Sequence, residues 1–237
     1  MTANGRVEDR GGPALDDRAR SLLDRYADLL LAANAGTNLT AARTRAEVEA
    51  HIADSLRLAP FVTGPLVDVG SGGGFPAIPL AIVLGLDATL IESVGKKARF
   101  LKAVVEELAL PATVRAERAE DAARDGALRE RFATATARAV STAPTVLELT
   151  VPFLSIGGRA VLQRGRFEAA ERSATHDAAL VLGAALRDEI RFEVGAGDER
   201  RLLIVVKEKA TGQRFPRRAG IPAKRPLCYV RDTADDG

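Results

Sequence analysis

The 237-residue chain is long enough for one large domain, or for one domain with an added segment, and its 46% hydrophobic and 28% charged residues describe an ordinary globular protein. A net charge of +2 is too small to attract nucleic acid by itself, so any such attraction must come from local clusters. One cysteine, Cys228, excludes an internal disulfide and a Cys-rich metal site, and two histidines, His51 and His176, argue against zinc.

Residues 1–14 combine Gly11-Gly12-Pro13 with scattered charges and are expected to be a disordered tail. From Asp16, the residues Leu22, Leu23, Tyr26, Leu29, Leu30 and Ala33 recur at helical spacing, and Asn34-Ala35-Gly36 reads as the stop. A second helix, about Arg45 to Leu58, carries Val48, Ile52 and Leu56 on one face, with Pro60 ending it. Both precede the first strand, so residues 15–60 are expected to form a helical cap. The loop between them carries Asn38-Leu39-Thr40. His51 and Asp54, three apart, share a helix face and suit either a hydrogen-bonded pair that orients the cap or a role at the substrate.

The stretch that organises the chain is Leu66-Val-Asp68-Val-Gly70-Ser-Gly72-Gly-Gly74-Phe75-Pro76. Its apolar residues suit a strand buried on both faces, and Ala77 to Leu84 suits a helix. The glycines between them supply positive φ and let backbone approach a ligand. Counted from Gly70, the dinucleotide pattern G-x-G-x-x-G/A places its last position on Phe75, and no Gly-Lys-Ser/Thr follows for a P-loop. The frame is instead an acid and three glycines, Asp68, Gly70, Gly72 and Gly74, which resembles class I S-adenosylmethionine methyltransferases. Ala88 to Ile91 then reads as a second strand ending in Glu92, the place from which an acid accepts hydrogen bonds from a ribose.

Beyond it, Gly95 to Leu108 reads as a helix and Thr113 to Ala116 as a short strand ending near Ala119-Glu120. Phe132 to Ala137 is a strand leading into Arg138-Ala139-Val140. A helix from Ala143 to about Phe153, a strand Arg159–Leu162 and a helix Ala169–Leu180 follow. The last strands are Ile190–Val194 and Leu202–Lys207. This alternation predicts an α/β fold: a doubly wound, mostly parallel, seven-stranded Rossmann-like methyltransferase sheet over residues 61–210, closed by an antiparallel edge hairpin. Between Lys207 and Arg225 seven basic residues face Glu208 alone, and Pro216, Gly220, Pro222 and Pro226 predict an extended basic strap suited to phosphate backbone, within a tail of 211–237.

Residues 1–12 lack the apolar core of a signal peptide, and the longest apolar stretch, Ala77 to Leu86, is interrupted by Pro79 and too short to span a bilayer. Cytoplasmic residence without a membrane partner is the expectation.

Asn38-Leu-Thr40, His51-Ile-Ala-Asp54-Ser55, the glycine stretch through Pro79, Arg118-Ala-Glu120, Ala137-Arg-Ala139 and the ending Phe215 to Pro226 together resemble the RsmG (GidB) family of 16S rRNA guanine-N(7) methyltransferases over about residues 20–227. That resemblance implies S-adenosylmethionine as cofactor, with Gly70, Phe75, Ala119, Glu120 and Arg138 contacting it beside Gly72, Gly74 and Glu92 of the general pattern. It also implies 16S ribosomal RNA or the small ribosomal subunit as partner; a monomer is the separate expectation. Arg164-Gly165 stands where the family usually has Lys-Gly. Arg164, Arg217, Arg218, Lys224 and Arg225 are the candidate RNA contacts. Arg138 is the candidate catalytic residue, by positioning guanine or cofactor, unless it pairs with Glu120 or Glu148. Guanine nitrogen seven offers a free lone pair, so transfer needs neither a base nor a covalent nucleophile. A small-molecule methyltransferase and a non-catalytic RNA-binding protein on the same fold are the alternatives.

Overall fold

The computed structural model describes residues 12–138, 141–165, 167–194 and 198–227; the expected tail up to residue 11, Ala139-Val140 and Cys228 lie outside them. Helix α1 (Asp17–Thr37) starts where the Asp16 carboxylate accepts the Ala19 N–H at 2.7 Å, and α2 (Arg45–Leu56) starts with a capping box between Thr44 and Glu47. The expected stop at Asn34-Ala35-Gly36 is not one. Asn34 is buried; its amide oxygen accepts the N–H groups of Leu39 and Thr40, and its amino group donates to the carbonyls of Thr40 and Ala42. It gathers the loop that follows, while the helix runs on until Asn38 turns left-handed at φ 56°.

The alternating unit then runs β1 (Leu66–Val69), α3 (Ala77–Leu84), β2 (Ala88–Ile91), α4 (Gly95–Glu107), β3 (Ala112–Arg115), a short α5 (Ala119–Ala122), β4 (Phe132–Arg138), α6 (Ala143–Thr150), β5 (Leu154–Arg164) and α7 (Ala169–Val181). It closes with β6 (Ala184–Val194) and β7 (Asp198–Lys207). The seven strands lie in the order β3-β2-β1-β4-β5-β7-β6, parallel except for β7, which runs antiparallel between β5 and β6. This is the expected architecture.

Side chains alternate along β1. Leu66 joins a core with Tyr26, Leu30, Val48, Ile52, Ile78, Leu80 and Leu101, which fuses α1 and α2 with α3 and α4 into one layer. Val67 and Val69 join the other core, with Phe153, Leu162, Ala178 and Val205. The cap therefore shares its apolar core with the sheet and is no appendage.

Several elements depart from expectation. Strand β6 begins at Ala184 and β7 at Asp198, well before their apolar stretches. These outer strands are held partly by ion pairs such as Glu189–Arg201 (3.0 Å), which leave no hydrophobic alternation to read. Residues 119–122 form a helical turn where a strand end was expected. The basic strap contains one turn of helix, α8 (Ile221–Lys224), because Pro222 falls in the first turn, where its missing N–H costs nothing.

Candidate active site

The glycine turn leaves β1 with Gly70 (φ 71°), Gly72 (φ 57°) and Gly74 (φ 105°), and the N–H of Gly70 donates to the Ile91 carbonyl at 2.9 Å, keeping the turn on β2. Glu92, at the end of β2 and 5% exposed, accepts the N–H of Gly72 (2.8 Å) and of Val94 (2.7 Å), so it fixes the turn from the neighbouring strand. At Gly74 a Cβ would come within 2.7 Å of Ile78 and 3.0 Å of the Tyr26 hydroxyl. That glycine serves close packing of the turn against α3 and α1. The buried Tyr26 hydroxyl donates to the Gly73 carbonyl at 2.7 Å.

Phe75 is buried in a small aromatic and cationic box. Tyr26 and His51 meet its ring edge-on at 5.5 and 5.4 Å, and the Arg138 guanidinium lies 4.6 Å from its centroid. Arg138, on the last position of β4, faces Asp54 of α2 at 3.8 Å; it pairs with neither Glu120 nor Glu148. Nor do His51 and Asp54 pair with each other: the first packs on the turn, and the second faces the arginine. Burial lowers the Arg138 pKa and, with Arg138 nearby, that of His51, so the imidazole is neutral at neutral pH.

Over this box opens a cleft of 670 Å³, within the range of sites for small ligands and cofactors. One wall is the turn, Gly70 to Gly73, with Phe75. The cap supplies another, through Leu39-Thr40-Ala41, His51 and Asp54. Arg138, Gln163, Arg164 and Arg200 supply the third. Beneath it Asp68 is fully buried, with one carboxylate oxygen bonded to Thr136 at 2.7 Å and the other without a partner; burial pushes its pKa up to about 6.

The remaining candidates fall elsewhere. Ala119 and Glu120 are buried but do not line the cleft. Burial pushes the Glu120 carboxyl up, yet the Gly220 N–H (2.8 Å) and the Arg118 guanidinium (3.2 Å) outweigh it and hold the group below the ordinary carboxylate range. Arg164 reaches the cleft edge, but donates to the Ser141 carbonyl (2.5 Å) and to Glu171 (2.7 Å), which also accepts the Ala143 N–H; the group clamps the turn after β4. Arg217 is engaged with the fully buried Glu148, at 2.9 and 2.6 Å. Arg218, Lys224 and Arg225 are exposed. The lining residues Gln163 and Arg200 escaped the sequence reading, and Asn34, read as part of a helix stop, instead shapes the cap wall by gathering the Asn38-Leu39-Thr40 loop.

A glycine turn from β1 into α3, an acid on β2 and a cleft beyond the carboxyl ends of the parallel strands define the class of S-adenosylmethionine-dependent methyltransferases. The O-methyltransferase from Bacillus cereus shares the fold, with a TM-score of 0.58 at 17% identity over 78% of this chain and 91% of that one. The chain belongs to the family described as rRNA small subunit methyltransferase G, whose model matches residues 19–197. Relatives named Ribosomal RNA small subunit methyltransferase G include one from Rubrobacter xylanophilus, 43% identical over 87% of this chain and 83% of its own length. Another, from Streptococcus gordonii, is 37% identical over 91% and 94%.

Proposed function

We propose that this chain transfers a methyl group from S-adenosylmethionine to nitrogen seven of a guanine in 16S ribosomal RNA, acting as a monomer in the cytoplasm. Family membership supports the rRNA methyltransferase reading. The observation that carries the site is the cleft itself, where the backbone of Gly70 to Gly73 and the Phe75–Arg138 box meet unmet polar groups of Asp54 on the cap and Gln163 on β5. Those groups and the open glycine backbone fit a polar, nucleoside-like cofactor.

We assign Gly70, Gly72, Gly74, Phe75, Glu92 and Arg138 to the cofactor side, with Ala119 and Glu120 added on the family resemblance alone since they lie outside the cleft, within a methyltransferase domain of residues 61–210 capped by residues 15–60. Glu92 and Gly74 act there by shaping the turn. When bound, S-adenosylmethionine supplies an electrophilic sulfonium methyl. Passing that methyl to N7 would leave a neutral thioether and a cationic purine, with nothing for the chain to deprotonate. No proton moves, which fits a cleft whose lining imidazole, that of His51, is neutral. The work left to the protein is alignment, worth up to about 7–11 kcal/mol in favourable cases. Arg138, fixed by the Phe75 face and Asp54, is the residue we assign to it. RNA contact falls to the exposed Arg218, Lys224 and Arg225 of the 211–237 tail, while Arg164 and Arg217 hold backbone in place. Mapping 7-methylguanine in 16S rRNA from cells with and without the gene tests the reading. One guanine losing its mark supports it; an unchanged map overturns it.

A further inference from the structure

Four side-chain atoms are buried without a hydrogen-bond partner among the described residues, and three of them belong to two residues that line the same cleft: Oδ1 of Asp54 and both amide atoms of Gln163. Such groups are costly to leave unmet and are kept where something else meets them. Asp54 stands on α2 with its side chain 13% exposed, its other oxygen 3.8 Å from Arg138. Gln163 stands on β5 as the register partner of Arg138 and is 7% exposed. Arg138 thus has a free acceptor on one side and a free amide, donor and acceptor together, on the other.

We infer that Asp54 and Gln163 read the Watson–Crick edge of the target guanine and make the site specific for that base. The inference rests on the N7 reading of the same site. A guanine edge offers two donors, N1–H and the 2-amino group, beside one acceptor, O6. The Asp54 carboxylate takes the donors and the Gln163 amide serves O6. An adenine there turns its N1 lone pair toward the carboxylate and leaves it unmet, which is how a site built for hydrogen bonds rejects the wrong partner. N1 and the 2-amino group lie across the purine from N7, with O6 between, so base reading by Asp54 and Gln163 leaves N7 free to face the glycine turn. As N7 takes the methyl, the positive charge spreading into the ring makes N1–H a stronger donor, and the contact with Asp54 tightens toward the transition state.

The test uses the full chain and small-subunit rRNA ligated from fragments to carry guanine, inosine or 7-deazaguanine at the mapped position. Inosine lacks only the 2-amino group, and 7-deazaguanine lacks the acceptor nitrogen. The wild-type protein is expected to methylate guanine with a kcat/KM about tenfold above inosine. In Asp54→Ala and in the isosteric Asp54→Asn, guanine activity falls and the guanine-to-inosine ratio collapses toward one, while calorimetric binding of S-adenosylhomocysteine is unchanged. Gln163→Leu lowers both substrates together, since both keep O6. A wild-type ratio retained in both Asp54 variants overturns the inference. So does loss of S-adenosylhomocysteine binding in Asp54→Asn, which would make Asp54 a cofactor residue. Methylation of the 7-deaza substrate by the wild-type protein overturns the N7 reading instead.

Discussion

The two ends of the sheet's charge pattern behave differently. On the side facing the cap, the buried Asp68 and Gln163 and the partly buried Asp54 and Arg138 have hydrogen-bonding capacity unmet or one long ion pair. Around the tail the charges are as buried but satisfied. Glu148 holds Arg217, the fully buried Lys207 donates to Glu130 at 2.7 Å, and Glu120 takes the Gly220 N–H. Basic residues close in sequence therefore do different jobs, and burial with or without partners separates them: a satisfied charge holds the fold, while an unsatisfied one waits for a ligand.

The most severe way to break the tail region is Arg217→Ala, which takes the guanidinium from the fully buried Glu148 and leaves it only the backbone N–H of residue 217. A loss of about 3–5 kcal/mol is expected in denaturant unfolding, and a loss below one would show that the pair is dispensable. On the cap side, Arg138→Ala is expected to lower methyl transfer to small subunits about 100-fold with little change in Tm; full turnover would deny it a place at the reaction. The comparison sharpens with pH at Asp68. Its folded pKa is raised to about 6 against an ordinary 3.8, so its contribution is full below 3.8 and is lost as pH rises through about 6. Asp68→Asn keeps a partner for Thr136 without the charge, and its stability relative to wild type should rise across that window by about 2–3 kcal/mol. A flat difference would mean that the carboxylate is not strained. The smallest effects belong to the exposed cations. Replacing Arg218, Lys224 or Arg225 by alanine should each weaken rRNA binding mildly and lower the slope of log K against log salt by about one. An unchanged slope would remove that residue from the interface.

What could be read before the fold was known follows the same division. Leu66 to Val69 and the glycines after it are legible because a parallel strand buried on both faces is apolar throughout and its turn demands positive φ. Arg138 stands out by its place at a strand end. The limits of β6 and β7 are hidden, since charged residues on outer strands pair across the ladder instead of alternating with apolar ones. Asp54 was visible as part of His51-Ile-Ala-Asp54-Ser55, but its unmet oxygen depends on α2 crossing the end of β4, a purely tertiary fact. Nothing in the basic run distinguished Arg217 from Arg218 either. Only the fold puts Glu148 beneath one and water beside the other.

The pairing of Glu148 with Arg217 joins residues 69 apart, and the second of them lies near the end of the chain. A fragment that stopped short of residue 217 would carry α6 without the guanidinium that closes over Glu148, so the segment after β7 belongs to the fold of the sheet layer itself and is not a detachable arm.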